Sequence, residues 1–452
     1  MRAPAFIKRL VIGSAAVLLL AGTAQAAAKK SQKVMTLREA VGISVATYPD
    51  YGVTANNRRA TDEELNQAEA LYRPSIDLRI DGGYEHTDNP TIFNADGSHE
   101  QNLWRYNSSV TLTQLLFDGG AARYENLRQQ ARVLSASHRV REASELQGLS
   151  AVESYLNVLR QRKLLQIAHD NVSAHQSILD KILESTRAGK TSLADNRQAA
   201  SRLEAAQAEE ANARADLDTA EGDFLRDVGR KPGPLHDTPT PSGRLAKDVE
   251  QEVRISLAGN PTISIANADY LVAQREYEAT EAAFSPKFDF QLQGQDGHNL
   301  SGLPGRNVDA SALVVMNWNL YRGGADVARR REYMYREAQA KEQRAKVARG
   351  VEEDVRKTWA GMQSARDRAK SFSLQAANNV GVVSAYHDQF ELARRSLLDV
   401  LDAQNELFVS RANAINAHYL EMFAVYRLLA LKGDLLEALA ITLPREADPG
   451  AM

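Results

Sequence analysis

The chain has 452 residues, 55 Lys and Arg against 58 Asp and Glu, and no cysteine. Without cysteine, disulfides, thiolate metal sites and a lipid-bearing Cys behind a leader are all excluded. The near-balanced charge makes nucleic acid a poor candidate partner.

The N-terminus reads as a secretory signal peptide over residues 1–26. "MRAPAFIKRL" supplies a basic start with Arg2, Lys8 and Arg9, "VIGSAAVLLLAG" a short apolar core, and "AQA" ending at Ala26 a small-residue cleavage site. That core is too short for an ordinary spanning helix, and an uncleaved anchor is the alternative. Removal leaves 52 basic against 58 acidic residues. No later apolar run reaches ~18 residues, so an exported chain of this kind is either soluble outside the cytoplasm or a membrane β-barrel.

The rest is duplicated. "LLFDGGAARYENLRQQA" at Leu115 matches "NLYRGGADVARRREYMY" at Asn319, an offset of 204. The same offset relates Tyr155 to Trp359, Ser192 to Ser396, Asp195 to Asp399 and Gly229 to Gly433. "YRPSIDL" at Tyr72 matches "FSPKFDF" at Phe284 at a slightly larger offset, the difference falling in the loop Thr87–Glu100. A register held without a gap for about a hundred residues is a duplication rather than chance.

Taken in order, the first repeat spans 27–229. A helix is expected from Thr36 to Leu71, then Pro74, then strands over about 75–86 and 103–117. Gly119 and Gly120 open a helical stretch to 187, and after a break a second helix runs to Gly229. "KPGPLHDTPTPSG" lies in a linker over 230–245. The second repeat, 246–440, has a helix from Leu245 to Ala283, then Pro286, then strands over about 287–296 and 308–321. Gly323 and Gly324 open a helix to 392, and a last helix reaches about Ala440, leaving a tail at 441–452. The long stretches hold no proline and are rich in strong helix formers. A helix of ~68 residues is about 100 Å long, which implies coiled-coil-like packing.

The strands alternate. "SIDLRIDGGY" sets Ile76, Leu78 and Ile80 against Asp77, Arg79 and Asp81, and "PKFDFQLQGQ" sets Phe288, Phe290 and Leu292 against Asp289, Gln291 and Gln293. In "WRYNSSVTLTQLLF" and "VDASALVVMNWNL" the same period holds, broken by Leu313 and Val315. Each run suffices for a tilted membrane strand, with Trp104, Tyr106, Phe117 and Trp318 near strand ends as interface anchors. A soluble sheet covered by a helix is the alternative. Four strands cannot close a membrane barrel, because edges in lipid leave backbone groups unpaired. Two copies would give about eight strands, and three would give about twelve with room for a water-filled bore.

On these features the chain resembles the TolC family of outer-membrane channels over nearly its whole mature length. The resemblance rests on the duplicated plan, the prolines before each strand pair, "FDGG" and "YRGG" at the strand exits, and "RRSLLDVLDAQ". That last run fits the family's R-x-x-x-D-V-L-D-A pattern at Arg395, Asp399, Val400, Leu401, Asp402 and Ala403. "YRPSIDL", "LTQLLFDGG" and "AHDNVSAHQSILDKI" look closest to the type I secretion branch. The implied fold is mainly α with a small membrane β part: a homotrimer sharing a twelve-stranded barrel, continued by a long periplasmic α-helical barrel. The implied place is the outer membrane of a Gram-negative bacterium, in outer-membrane lipid. The implied partners are a periplasmic adaptor (membrane fusion protein) and an inner-membrane ABC or RND-type transporter. The duct is passive, and the same resemblance covers both protein secretion and efflux of small molecules.

Candidate sites fall at the helix breaks. "SLAD" and "SLLD" are capping-box patterns, with Ser192 and Ser396 as N-caps and Asp195 and Asp399 three residues on. Asp402 lies beyond the first turn, where cap and dipole fade, and repels Asp399. Its equivalent is the neutral Gln198. The resemblance implies that Asp399 and Asp402 line the periplasmic entrance as two rings of three, favouring cations. It also places Arg395 and the tip around Asp195 in links that hold the entrance shut. The family often has Tyr where this chain has Phe390, and a phenyl ring cannot donate a hydroxyl hydrogen bond. An enzyme is not expected, nor a cofactor or metal: the nine histidines form no H-E-x-x-H, and no G-x-S-x-G or phosphate-binding loop occurs. A coiled-coil adhesin or a periplasmic adaptor is the rival of another class, and it gives no reason for four alternating strands.

Overall fold

The structure is a computed structural model describing residues 34–189, 191–392 and 394–450. The expected signal peptide lies outside the described residues, as do Lys190 at the first helix break and the last two residues of the tail.

Where one opening helix was expected there are two, α1 (Leu37–Thr47) and α2 (Pro49–Ala70). Pro49 has no amide to donate, and Tyr48 before it is extended at φ −72°, ψ 134°. The strands β1 (Ser75–Asp88) and β2 (Glu100–Phe117) follow, then α3 (Ala121–Arg187) and α4 (Leu193–Val228). The second repeat copies this plan with α5 (Val249–Gly259), α6 (Pro261–Ala279), β3 (Lys287–His298), β4 (Arg306–Asn317), α7 (Ala325–Glu391) and α8 (Leu397–Leu431). Its opening helix is split too, at Pro261. Helices α1 and α5 stand 212 residues apart at both ends, and α3 and α7 stand 204 apart. The offsets read from sequence motifs are therefore those of the elements themselves.

The strands form one antiparallel sheet in the order β1-β2-β3-β4, with β1 and β4 as open edges. Ile76 pairs with Leu112, Leu112 with Leu292, and Phe288 with Met316. This register puts the apolar positions on one face. Ile76, Leu78 and Ile80 are 69%, 64% and 70% exposed, Trp104 is 72% exposed, and no helix among the described residues covers them. A soluble sheet would bury such a face; here it is presented to whatever surrounds the protein. The other face carries Asp77, Arg79, Asp81, Glu85 and Arg105, and the Arg105 guanidinium reaches Asp81 at 2.5 Å and Glu85 at 2.6 Å. From Trp104 to Leu116 along β2 is about 40 Å, or roughly 30 Å across a bilayer at a ~40° tilt.

The fourth strand is shorter than expected. It ends at Asn317, opposite Lys287, because Pro286 supplies no amide to continue the ladder. Residues 318–321 leave the sheet, and the Trp318 indole N–H instead donates to the Phe284 carbonyl at 3.3 Å. Gly119, Gly120, Gly323 and Gly324 sit at φ between +64° and +91°, the left-handed turn that takes a strand into a helix. Asp118 accepts from the amides of Gly120 and Ala122 at 2.9 and 2.7 Å.

Helices α3 and α7 have 67 residues each, about 100 Å long, and α4 and α8 return along them. The last helix stops short of Ala440: α8 ends before Gly433, at φ +74°, and a short α9 (Leu435–Ala438) follows. Part of the way along the long helices lies the main core. Val41 and Val45 of α1, Val152 and Tyr155 of α3, Phe224 of α4, Met422 and Tyr426 of α8, and Leu435 and Leu436 of α9 meet there. The linker is part of this collar. Met35 pairs with Leu235, and the single Tyr155 hydroxyl proton is shared between the carbonyls of Met35 and His236, 2.9 and 2.7 Å away. The tail also docks, through Glu446, which accepts from Tyr51 at 3.1 Å and from Arg59.

Candidate functional site at the helical tip

The ends of α3, α4, α7 and α8 converge at the tip farthest from the sheet. Buried Ile182, Ala199, Leu397 and Leu401, with Ile178, Leu179 and Phe390 packed against them, tie the four ends together. Phe390 thus belongs to an apolar plug, and its ring works by packing, where a hydroxyl link would have worked by a hydrogen bond.

Both helix starts are capping boxes. The Asp195 amide donates to Ser192 Oγ at 3.2 Å, and Ser192 N and Oγ donate to Asp195 Oδ2 at 2.9 and 2.8 Å. Ser396 and Asp399 repeat the arrangement. Such caps contribute about 1 kcal/mol each. The bonds from Ser192 hold the Asp195 carboxyl below the usual carboxylate range.

Arg395 sits beside the second cap. Its guanidinium lies 4.0 Å from the Tyr386 ring centroid, Nε donates to Gln389 Oε1 at 3.2 Å, and Nη1 is 3.8 Å from Asp399 Oδ2. Tyr386 lies one turn before Phe390, so the chain has an aromatic partner for Arg395 there. Within one copy Arg395 and Asp195 do not meet; each is held by its own hairpin.

Asp402 has a partner that sequence reasoning missed. Arg202 of α4 donates to Asp402 Oδ1 at 3.0 Å, bridging the two hairpins. Both side chains are about half exposed, so the pair is worth only ~0–1 kcal/mol. Behind Arg202, buried His175 is pushed below its ordinary pKa by burial and then by that guanidinium. A second bridge was also missed. Lys181 of α3 donates to Glu391 of α7 at 2.8 Å and lies 2.8 Å from His387 Nε2. Neither partner follows a local pattern; only a contact between the repeats brings them together. At the sheet, Trp104 packs edge-on to Tyr84 and Tyr106 stacks on His298 near the loops, while Trp318 lies at the helix end.

No group of three or more His, Cys, Asp or Glu among the described residues could hold a metal, and no helix among them is long and apolar enough to cross a membrane. What the tip can do is physical: carboxylates in a fixed arrangement attract cations, and bridges between hairpins resist their separation.

The sequence profile of a family described as "Outer membrane efflux protein" matches residues 44–226 and 253–434. The chain is 25% identical over 432 residues to the outer membrane efflux protein BepC of Brucella suis, spanning 93% of this chain and 89% of that one. It is 24% identical over 366 residues to the alkaline protease secretion protein AprF of Pseudomonas aeruginosa, spanning 77% and 74%. Its fold matches the solved outer membrane protein VceC of Vibrio cholerae with a TM-score of 0.74 at 13% identity, spanning 90% of this chain and 97% of that one.

Proposed function

The chain belongs to the outer membrane efflux protein family, the TolC-like channels, and from that premise we propose that it is the outer-membrane duct of a type I protein secretion system. Channels of this family are non-enzymatic homotrimers of the outer membrane that extend into the periplasm and work with adaptor proteins and inner-membrane transporters. The observation that carries the duct is the sheet: one apolar face without cover, one charged face, two open edges, and helices of about 100 Å leading away from it. Closed by copies of itself, such a sheet has lipid on one side and water on the other.

Protein cargo is supported by the similarity to AprF, named for protease secretion. Small-molecule efflux is the second reading, favoured by the similarity to BepC over more of the chain. In this proposal Asp399 and Asp402 line the periplasmic entrance, and Arg395, Asp195 and Phe390 hold it closed, the last through the apolar plug. The test is deletion of the gene, followed by comparison of the secreted proteome and of susceptibility to toxic small molecules. We expect a protein to vanish from the medium while susceptibility stays unchanged. Increased susceptibility with an unchanged secretome would overturn the protein-cargo reading.

A further inference from the structure

The duplication leaves each copy with a contact made once and missing once. Inside the chain, the trailing edge of the first repeat, β2 and α3, packs on the leading edge of the second, β3, α6 and α8. Away from the tip, where Lys181 meets Glu391 and Arg202 meets Asp402, the trailing edge of the second repeat, β4 and α7, and the leading edge of the first, β1, α2 and α4, have no such partner among the described residues. We propose that in the trimer the internal seam is repeated between copies, residue for residue, at the register set by the two offsets of the repeat. This rests on the trimeric reading of the preceding section and goes beyond it in naming the paired residues.

The register follows by transfer. Across the internal seam Leu112 pairs with Leu292, and Thr113 with Gln291. Moving the trailing residue by 204 and the leading residue by 212 pairs Met316 with Ile80 of the next copy, and Asn317 with its Arg79. Trp318 then falls opposite Leu78, and Tyr321 opposite Ile76. In these pairs apolar meets apolar on the lipid face and polar meets polar on the other, while farther along Val315 falls opposite Asp81. The offsets are sound for the strands because pairing within each repeat, Ile76 with Leu112 and Phe288 with Met316, obeys them.

An independent observation agrees. Sequence alternation carries the fourth strand to 321, yet the ladder stops at Asn317. Its equivalent, β2, reaches Phe117 because β3 pairs with its last residues, whereas β1 ends opposite Thr113. Residues 318–321 are therefore the stretch whose partner comes from another copy.

The helices give the decisive pair. In the internal seam Thr262 Oγ1 of α6 donates to Glu142 Oε1 of α3 at 2.5 Å. The equivalents are Asp50 of α2 and Lys346 of α7, both exposed and neither with a side-chain partner among the described residues. A neutral-to-acid hydrogen bond inside the copy becomes an ion pair between copies. Asp269 of α6, which takes bonds from Ser135 and Arg139 at 2.6 and 2.8 Å, maps to Asn57, facing the amides Gln339 and Gln343. The equivalent of the Arg128–Glu276 pair is like-charged, Glu332 opposite Glu64, and is already neutralised within each copy by Arg336 and Arg132.

The chain has no cysteine, so disulfide trapping starts from a clean background. Full-length protein carrying Lys346→Cys and Asp50→Cys, oxidised in outer membranes, is expected to run in denaturing gels as a covalent trimer that reduction returns to monomer. Lys346→Cys with Asn57→Cys, two turns along α2, should remain largely monomeric. Cross-linking favouring that control, or no cross-linking at all, would overturn the register. Native mass of the unoxidised variant separates the two failures: a trimer that does not cross-link sinks only the register, and a monomer sinks the ring. Charge exchange provides a second readout. Lys346→Glu should lower the temperature at which trimers dissociate in detergent, and adding Asp50→Lys should restore it; no restoration counts against the pair.

Discussion

Asp402 and Arg202 face each other at 3.0 Å although 200 residues separate them. The pair changes what a substitution at the helical tip should do. Removing Asp402 deletes a carboxylate, whereas removing Arg202 leaves that carboxylate in place and unneutralised. We expect Asp402→Ala to lower cation selectivity in planar bilayers and relieve block by multivalent cations, and Arg202→Ala to shift both in the opposite sense. Because the pair is half exposed, each change should leave folding within about 1 kcal/mol of wild type. Identical currents from all three channels would remove these residues from the conducting path. At this scale the sequence revealed what is local. The caps at Ser192 and Ser396 follow from a four-residue pattern and are present, and the four glycines adopt the left-handed turn. Arg202, Tyr386 and the Lys181 bridge were not legible, because each partner is chosen by how separate helices approach.

Among the elements, the collar departs most from expectation. Expected as single helices, a linker and a tail, these segments are split at Pro49 and Pro261 and packed around α3, α7 and α8. Proline marks a break in sequence, but where the freed pieces dock depends on which apolar faces the long helices leave open. A buried acid reports on that docking. Glu145 of α3 is 2% exposed, accepts from the Leu435 amide at 3.1 Å, and has its carboxyl pushed up to about 7 by burial against the opposing pull of the Leu436 and Leu435 amides and Arg141. A carboxyl raised on folding supports the fold fully below its ordinary value near 4.5. That support, of order 3 kcal/mol, is lost as pH rises through about 7. The protection of the α9 amides against hydrogen exchange, taken relative to the intrinsic base-catalysed rate, should therefore fall between pH 5 and pH 8, and Glu145→Gln should flatten that fall. An unchanged slope in that variant would assign the effect elsewhere.

For the whole molecule, the duplicated plan, the alternating strands and the long helices were legible because they are periodic and extend over tens of residues. The sheet's bare face and its two open edges agree with that reading and with the family. In mild detergent the protein should have the native mass of three chains, and it should leave the outer membrane only with detergent. A soluble monomer would contradict the shared barrel.

The open edges also bear on how such a pore arises in a living membrane. A single copy cannot enter lipid alone, because the unpaired amides and carbonyls of β1 and β4 would each cost several kcal/mol there. Two copies still have edges. Insertion therefore has no stable halfway product, and its rate should rise steeply with the concentration of chains waiting in the periplasm. The cell gains a safeguard from this. While subunits are scarce, no leaky fragment perforates the outer membrane, and permeability appears only with the completed ring.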